Sequence, residues 1–278
     1  MTENIPGHGA PKEDKGAVVA VIEGTTSPEC DEFVNKCVSK MKEAYPDVEF
    51  RLAVTSDVIR KVLAEQGERK NSVLGALAGL IDDGYSQIVV QPLYITPGNA
   101  LHSIYPVVSG INNLVGPHGM LDIDGILISN PLLLKAEDYS NVAEALASIF
   151  NDGTVVLVAS NEEGNADPTL CQLQMVLDEI TGGRIVIATN NGYPGIEQVK
   201  NRLAHINAEK VILAPFTMVA GYHAKMDVYG DKESSWKNVL ESAGHDVKVD
   251  ERVLGKEDAI LDLFVERLKQ TAQSHNFL

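Results

Sequence analysis

Val211-Ile-Leu-Ala-Pro-Phe-Thr-Met-Val-Ala-Gly-Tyr-His223-Ala-Lys-Met-Asp227 is the stretch on which the fold reading turns. Its first residues form a short apolar run rich in β-branched side chains, the pattern of a buried strand that ends at Pro215. A strand end that passes through a Gly into a His is where α/β proteins place binding and catalytic groups. Taken alone, His223 reads equally as a site residue or as an ordinary loop histidine. Asp227 reads equally as its hydrogen-bonding support or as a surface turn residue.

The same device occurs earlier in the chain. Gln91-Pro92-Leu93 followed by Gly98 matches Ala214-Pro215-Phe216 followed by Gly221, with the same Pro-to-Gly interval. Arg51 to Ser56 before one helix likewise resembles Ile185 to Asn190 before another. Around these matches the pattern alternates. Strands are expected at Ala17–Glu23, Val48–Thr55, Gln87–Leu93 and Gly125–Ser129, and again at Thr154–Ala159, Arg184–Ala188, Lys210–Ala214 and His245–Asp250. Helices are expected between them, except from Leu93 to Gly125 where no element is assigned, and the last runs from Glu257 to Gln270 with Ile260, Leu263, Phe264 and Leu268 on one face. Alternating strands and helices imply parallel sheets covered on both faces. The repeat implies two facing α/β domains, 17–135 and 136–255, with helix 256–271 free to pack back on the first. Strand C-termini would line the cleft between them, and the turns around His102 and His223 would face each other across it.

Composition narrows the partners. A 278-residue chain with 44% hydrophobic residues can bury a sizeable core, and no apolar run approaches the roughly 18 residues of a membrane span. Residues 1–16 are polar and lack the apolar core of a secretory signal, so they read as a flexible tail on a cytoplasmic protein. Cys30, Cys37 and Cys171 form no CxxC pair and read as buried thiols, not a disulfide framework. A net charge of −16 argues against nucleic acid and anionic membranes as partners, both of which require a basic surface. An acidic surface serves solubility and can also concentrate a cation. The apolar face of the last helix suits core packing and a homo-oligomer interface equally.

The motifs exclude several chemistries. Gly192, Gly195 and Gly221 do not fall into a phosphate-loop or dinucleotide spacing after a strand, so no nucleotide cofactor is expected. There is no GxSxG elbow and no HExxH. His8, His118, His205 and His275 lie in a tail, a Gly-Pro loop, a polar helix end and the C-terminus. His102 and His223 each follow a strand–Pro–Gly turn, where an imidazole can bind a metal or accept a proton near neutral pH. Glu162, Glu163 and Asp167 follow the fifth strand. They are candidate metal ligands or simply an acidic helix entry.

Val89-Val-Gln-Pro-Leu-Tyr-Ile-Thr-Pro-Gly98, Gly192-Tyr-Pro194 and Val219-Ala-Gly-Tyr-His223-Ala, with Asp227, Gly230-Asp231 and Ser235-Trp236-Lys237 behind them, carry a resemblance. They resemble the anaerobic sirohydrochlorin cobaltochelatases, class II chelatases related to protoporphyrin ferrochelatase, from about Val18 to Leu268. Gly24-Thr25-Thr26 after the first strand fits as well. The resemblance implies two facing flavodoxin-like domains with a tetrapyrrole in the cleft and a divalent metal, cobalt first, as co-substrate. It implies His223 as metal ligand and catalytic residue; Glu162 and Glu163 are candidate ligands by their place after the fifth strand and not by the resemblance. Ring contacts are implied at Gly24, Thr25 and Thr26, at Pro92, Leu93, Tyr94 and Gly98, and at Ser160, Asn161, Asn191 and Tyr193.

The chain also departs from that family. Ala159-Ser160-Asn161 stands where the family carries Gly-His-Gly, Asn191 stands where it carries Glu, and Tyr94 stands where it carries His. Two pyrrole protons must leave for one dication to enter, so a missing base matters. Loss of a positioned general base costs about 10²–10⁴ in rate. Two readings therefore follow: a cobaltochelatase-type lyase, or a carrier or sensor that kept the cleft and lost the base. Two facing α/β domains also describe small-molecule receptors of the periplasmic-binding type, against which the absence of an export signal counts.

Overall fold

A computed structural model describes residues 15–116, 120–159, 166–219, 221 and 224–278. In the first half, β1 (Gly16–Ile22), β2 (Glu49–Val54), β3 (Gln87–Pro92) and β4 (Gly125–Ile128) form a parallel sheet in the order β2-β1-β3-β4. Its helices are α1 (Glu29–Ala44), α2 (Asp57–Glu65), α3 (Val73–Asp82), α4 (Asn99–His102) and α5 (Ile104–Asn112). After α6 (Ala136–Ile149) the second half repeats the arrangement. Strands β5 (Thr154–Ala159), β6 (Ile185–Thr189), β7 (Lys210–Phe216) and β8 (Asp246–Val249) pair in parallel as β6-β5-β7-β8. Helices α7 (Asp167–Thr181), α8 (Ile196–His205), α9 (Trp236–Ser242) and α10 (Asp258–His275) complete the chain. The expected parallel α/β architecture of two sheets is therefore what the chain forms.

Strand alternation explains why there is one shared core with a separate core on each outer side. Side chains two apart on a strand point the same way. On β1, Val18, Ala20 and Ile22 face a core built with α1, α6, α7 and α10, whereas Ala17, Val19 and Val21 face α3 and α5. On β5, Val155 and Leu157 join the shared core, and Val156 and Val158 face the layer of α8 and α9. The two halves thus share one apolar interior. Helix α10 packs against α1 and α6 and crosses β3.

Register makes the internal repeat exact to the residue. Val21 of β1 pairs with Pro92 of β3, and Val158 of β5 pairs with Pro215 of β7. The chain after each outer strand then returns to the turn after the Pro: Leu132 N–H donates to the Tyr94 carbonyl at 3.0 Å, and Leu254 N–H to the Thr217 carbonyl at 2.9 Å. On the other side, Val21 pairs with Ala53 and Val158 with Ala188. This shifts one sequence match by a residue, because the counterpart of Ser56 is Asn191, not Asn190. Each Pro is tolerated because pairing with the outer strand has already ended, at Val90 and Ile128 in one sheet and at Leu213 and Val249 in the other, so its missing N–H breaks no ladder.

Three boundaries differ from expectation. Gly16, read as the end of the tail, starts β1 and pairs with Gln87. Helices α4 and α5 occupy a segment with no assigned element; Pro106 lies in the first turn of α5, where no intrahelical N–H is required. Helix α10 runs past Gln270 to His275 because Ala272 is still buried, a contact that the polar pattern there does not signal.

Candidate functional site

The C-terminal ends of β1, β3, β5 and β7 open onto one cleft of about 850 Å³ between the halves. In each sheet the central pair lies where the strand order reverses, the place at which open α/β sheets bind ligands. The cleft lies near the upper end of the range for small-molecule pockets, about 300–1,000 Å³. Glu23, Gly24, Thr25 and Thr26 border it after β1, and Leu93, Tyr94, Thr96 and Gly98 after β3. Phe216 at the end of β7 and Thr217, Met218, Val219 and Gly221 after it border it too, as do Ala159 and Ala166 on either side of residues 160–165.

Local sequence shapes these borders. Gly24 has φ +102°, and a Cβ there would stand 2.5 Å from a Val54 methyl, so only glycine lets the chain turn off β1 at this point. Ser56 caps α2 by accepting from Ile59 N–H at 3.3 Å. Tyr94 Oη and Thr55 Oγ1 are 3.2 Å apart. Burial pushes the Tyr94 hydroxyl above the ordinary phenol range, against the Thr55 hydrogen bond, and the nearby Glu23 charge adds to the rise. Burial likewise pushes the Cys30 thiol on the same wall up to about 11. Both groups are neutral near pH 7, so Glu23 is the charged side chain among the described lining residues.

The structure brings some of the expected site residues together and separates others. Gly24, Thr25, Thr26, Leu93, Tyr94 and Gly98 meet in the cleft, whereas Pro92 is buried within β3. His102 is exposed beside Tyr105 and is not among the described lining residues. The turn before it does border the cleft, through Gly98, Asn99, Ala100 and Leu101, as does Gly221 of the other turn. Asn191 and Tyr193 are also not among those lining residues. Asn191 borders a smaller cleft of about 280 Å³ with Asp227 and Trp236. Tyr193 is exposed, and its N–H donates to Asp167 Oδ2 at 2.8 Å. Trp236 Nε1–H donates to Asn190 Oδ1, holding the start of this loop against α9. Ser160, Asn161, Glu162, Glu163 and His223 lie outside the described residues, so the proposed ligand set does too. Among the described residues, no three His, Cys, Asp or Glu side chains are grouped to hold a metal. Sequence reading missed Glu23, which it treated as the last residue of a strand. The shared position just beyond a central strand was the available signal.

Comparison with known proteins agrees with this fold. The sequence model of the cobalt chelatase (CbiK) family matches residues 16–273. The sirohydrochlorin cobaltochelatase CbiKC of Nitratidesulfovibrio vulgaris is 26% identical over 239 residues, covering 84% of this chain and 82% of the relative. The sirohydrochlorin cobaltochelatase of Salmonella typhimurium is 26% identical over 263 residues, 92% of this chain and 96% of its own. Among solved structures, SirB from Bacillus subtilis with Fe³⁺ aligns with a TM-score of 0.64 at 13% identity, covering 95% of this chain and 98% of SirB. At that identity the match concerns the fold alone.

Proposed function

The chain belongs to the cobalt chelatase (CbiK) family, and from that premise we propose that it inserts a divalent metal, cobalt first, into a sirohydrochlorin-type tetrapyrrole held between its halves. The observation that carries the reading is the cleft at both topological switch points, bordered by matching Pro-to-Gly turns, Pro92–Gly98 and Pro215–Gly221. Gly98 and Gly221 have open space where a Cβ would sit, so a flat ring can approach the backbone there. Phe33, Val58, Ile59 and Met218 supply apolar surface for its faces. Thr25, Thr26, Ser56 and Thr96 supply hydroxyl donors for peripheral carboxylates.

The metal is a substrate. It is delivered by His223, with Glu162 and Glu163 as candidate companions, and leaves bonded to the ring nitrogens. Ser160 and Asn191 add no base. The protein acts in the cytoplasm on this reading; among the described residues no helix is long and apolar enough to cross a membrane. Mixing protein, sirohydrochlorin and Co²⁺ and following the visible spectrum tests the activity. Metal insertion faster than the protein-free rate, and slowed by His223→Ala, is expected. A rate equal to the protein-free control that His223→Ala leaves unchanged defeats the enzyme reading.

A second reading has its own observation. Ser160 and Asn191 stand where the resemblance expects His and Glu, which suits a carrier or sensor that binds the tetrapyrrole or its metal complex without turnover. Tight ring binding with no acceleration of metal entry selects it.

A further inference from the structure

Glu23 occupies a position that no sequence motif assigns. Because Val21 pairs with Pro92 as Val158 pairs with Pro215, Ile22 corresponds to Ala159, and Glu23 corresponds to Ser160. Each is the first residue past the end of its central strand. Ser160 has no proton-accepting group near neutral pH. Glu23 has one, and it borders the cleft.

We propose that Glu23 is the proton acceptor of the metal-insertion reaction, working from the first half at the position equivalent to Ser160 in the second. The inference rests on the chelatase reading. For each dication that enters, two pyrrole N–H bonds break and the freed nitrogen lone pairs bind the metal. The Glu23 carboxylate takes each proton in turn and passes it to water at the mouth, where its side chain is exposed. Two protons leave and one dication enters, and no oxidant or reductant is consumed.

Competing acceptors on the described walls are few. Cys30 is held protonated to about 11 and the Tyr94 hydroxyl is raised further by burial. The remaining described lining side chains are apolar, hydroxyl or amide groups. A carboxylate at the border of the cleft favours dication entry as well as proton departure.

The test compares full-length wild type, Glu23→Gln and Glu23→Asp with sirohydrochlorin and Co²⁺. Metal-free sirohydrochlorin titrated into each protein gives Kd separately from the insertion rate. In Glu23→Gln the rate is expected to fall about 10²-fold or more with Kd within about threefold of wild type. Glu23→Asp, which keeps the carboxylate on a shorter arm, is expected to recover part of the rate. A wild-type insertion rate in Glu23→Gln overturns the proposal and leaves the chelatase reading standing. A loss confined to Kd overturns it too, making Glu23 a binding group. Wild-type protein that binds the ring but inserts no metal overturns both the proposal and the enzyme reading.

Discussion

Arg267 of α10 donates to Asp138 of α6 inside the seam between the two halves, and both side chains are buried, at 4% and 0% exposure. The other Asp138 oxygen accepts from Leu134 N–H at 3.0 Å and Lys135 N–H at 2.7 Å. One carboxylate therefore starts α6, fixes the connection between the sheets and anchors the returning helix. Removing only the cation strands a buried negative charge. Arg267→Met is expected to destabilise the protein by about 3–5 kcal/mol, read from the denaturant midpoint. A loss below about 1 kcal/mol would show that the pair carries little stability.

Filling the cleft should cost ligand and not fold. Gly98 has no heavy atom within 4 Å of an added Cβ and an ordinary negative φ of −102°. Gly98→Phe is expected to leave the thermal midpoint close to wild type and to weaken sirohydrochlorin binding by about 10-fold or more, about 1.4 kcal/mol. Unchanged ring affinity in this variant would place the ligand elsewhere.

The buried thiols give the protein an alkaline weakness. Burial holds the Cys37 thiol up to about 12 and the Cys30 thiol up to about 11, from an unfolded value of 9.0. Between those values the unfolded chain has lost protons that the folded chain retains. Stability is thus fully present below pH 9 and declines as pH rises toward 11 to 12, by about 1.4 kcal/mol per pH unit for each thiol. Urea midpoints at about pH 8 and about pH 10 should differ accordingly, and Cys37→Ala should show the smaller drop. Equal drops in both proteins would remove Cys37 as a cause.

Tyr94 and Thr55 join the turn after β3 to the end of β2 through a hydrogen bond of 3.2 Å. Tyr94→Phe is expected to destabilise the fold by about 0.5–1.5 kcal/mol, measured by equilibrium unfolding. A stabilised variant would show that the hydroxyl gains less from Thr55 than its burial costs.

Much of the architecture is legible in the residues. Apolar runs with period two, ended by Pro and Gly, mark both central strands of each sheet, because a parallel strand covered on both faces must be apolar throughout. Polar ends hide the rest: the last turn of α10 shows its buried face at Ala272 only once α10 is docked. The candidate site is less legible. Loop residues such as Tyr94 and Gly98 follow strand ends and are found by position. Asn191 follows β6, a flanking strand of its sheet, and its loop turns toward Trp236 and Asp227. No local pattern distinguishes that direction from one toward the cleft.

The sequence by itself determined the repeated α/β pattern, the chemistry its loops can offer, and the absence of His at 160 and Glu at 191. Those are properties of residue type and spacing, which local propensity and burial periodicity encode. Only the tertiary structure decided that β1 and β5 stand in matching register. That register makes Glu23 the counterpart of Ser160, and the fold brings the turns of both halves to one cleft while leaving His102 outside it. Register and facing depend on hydrogen bonds and packing between residues far apart in the chain, such as Val21 with Pro92 and Asp138 with Arg267, and no short window of sequence contains both partners.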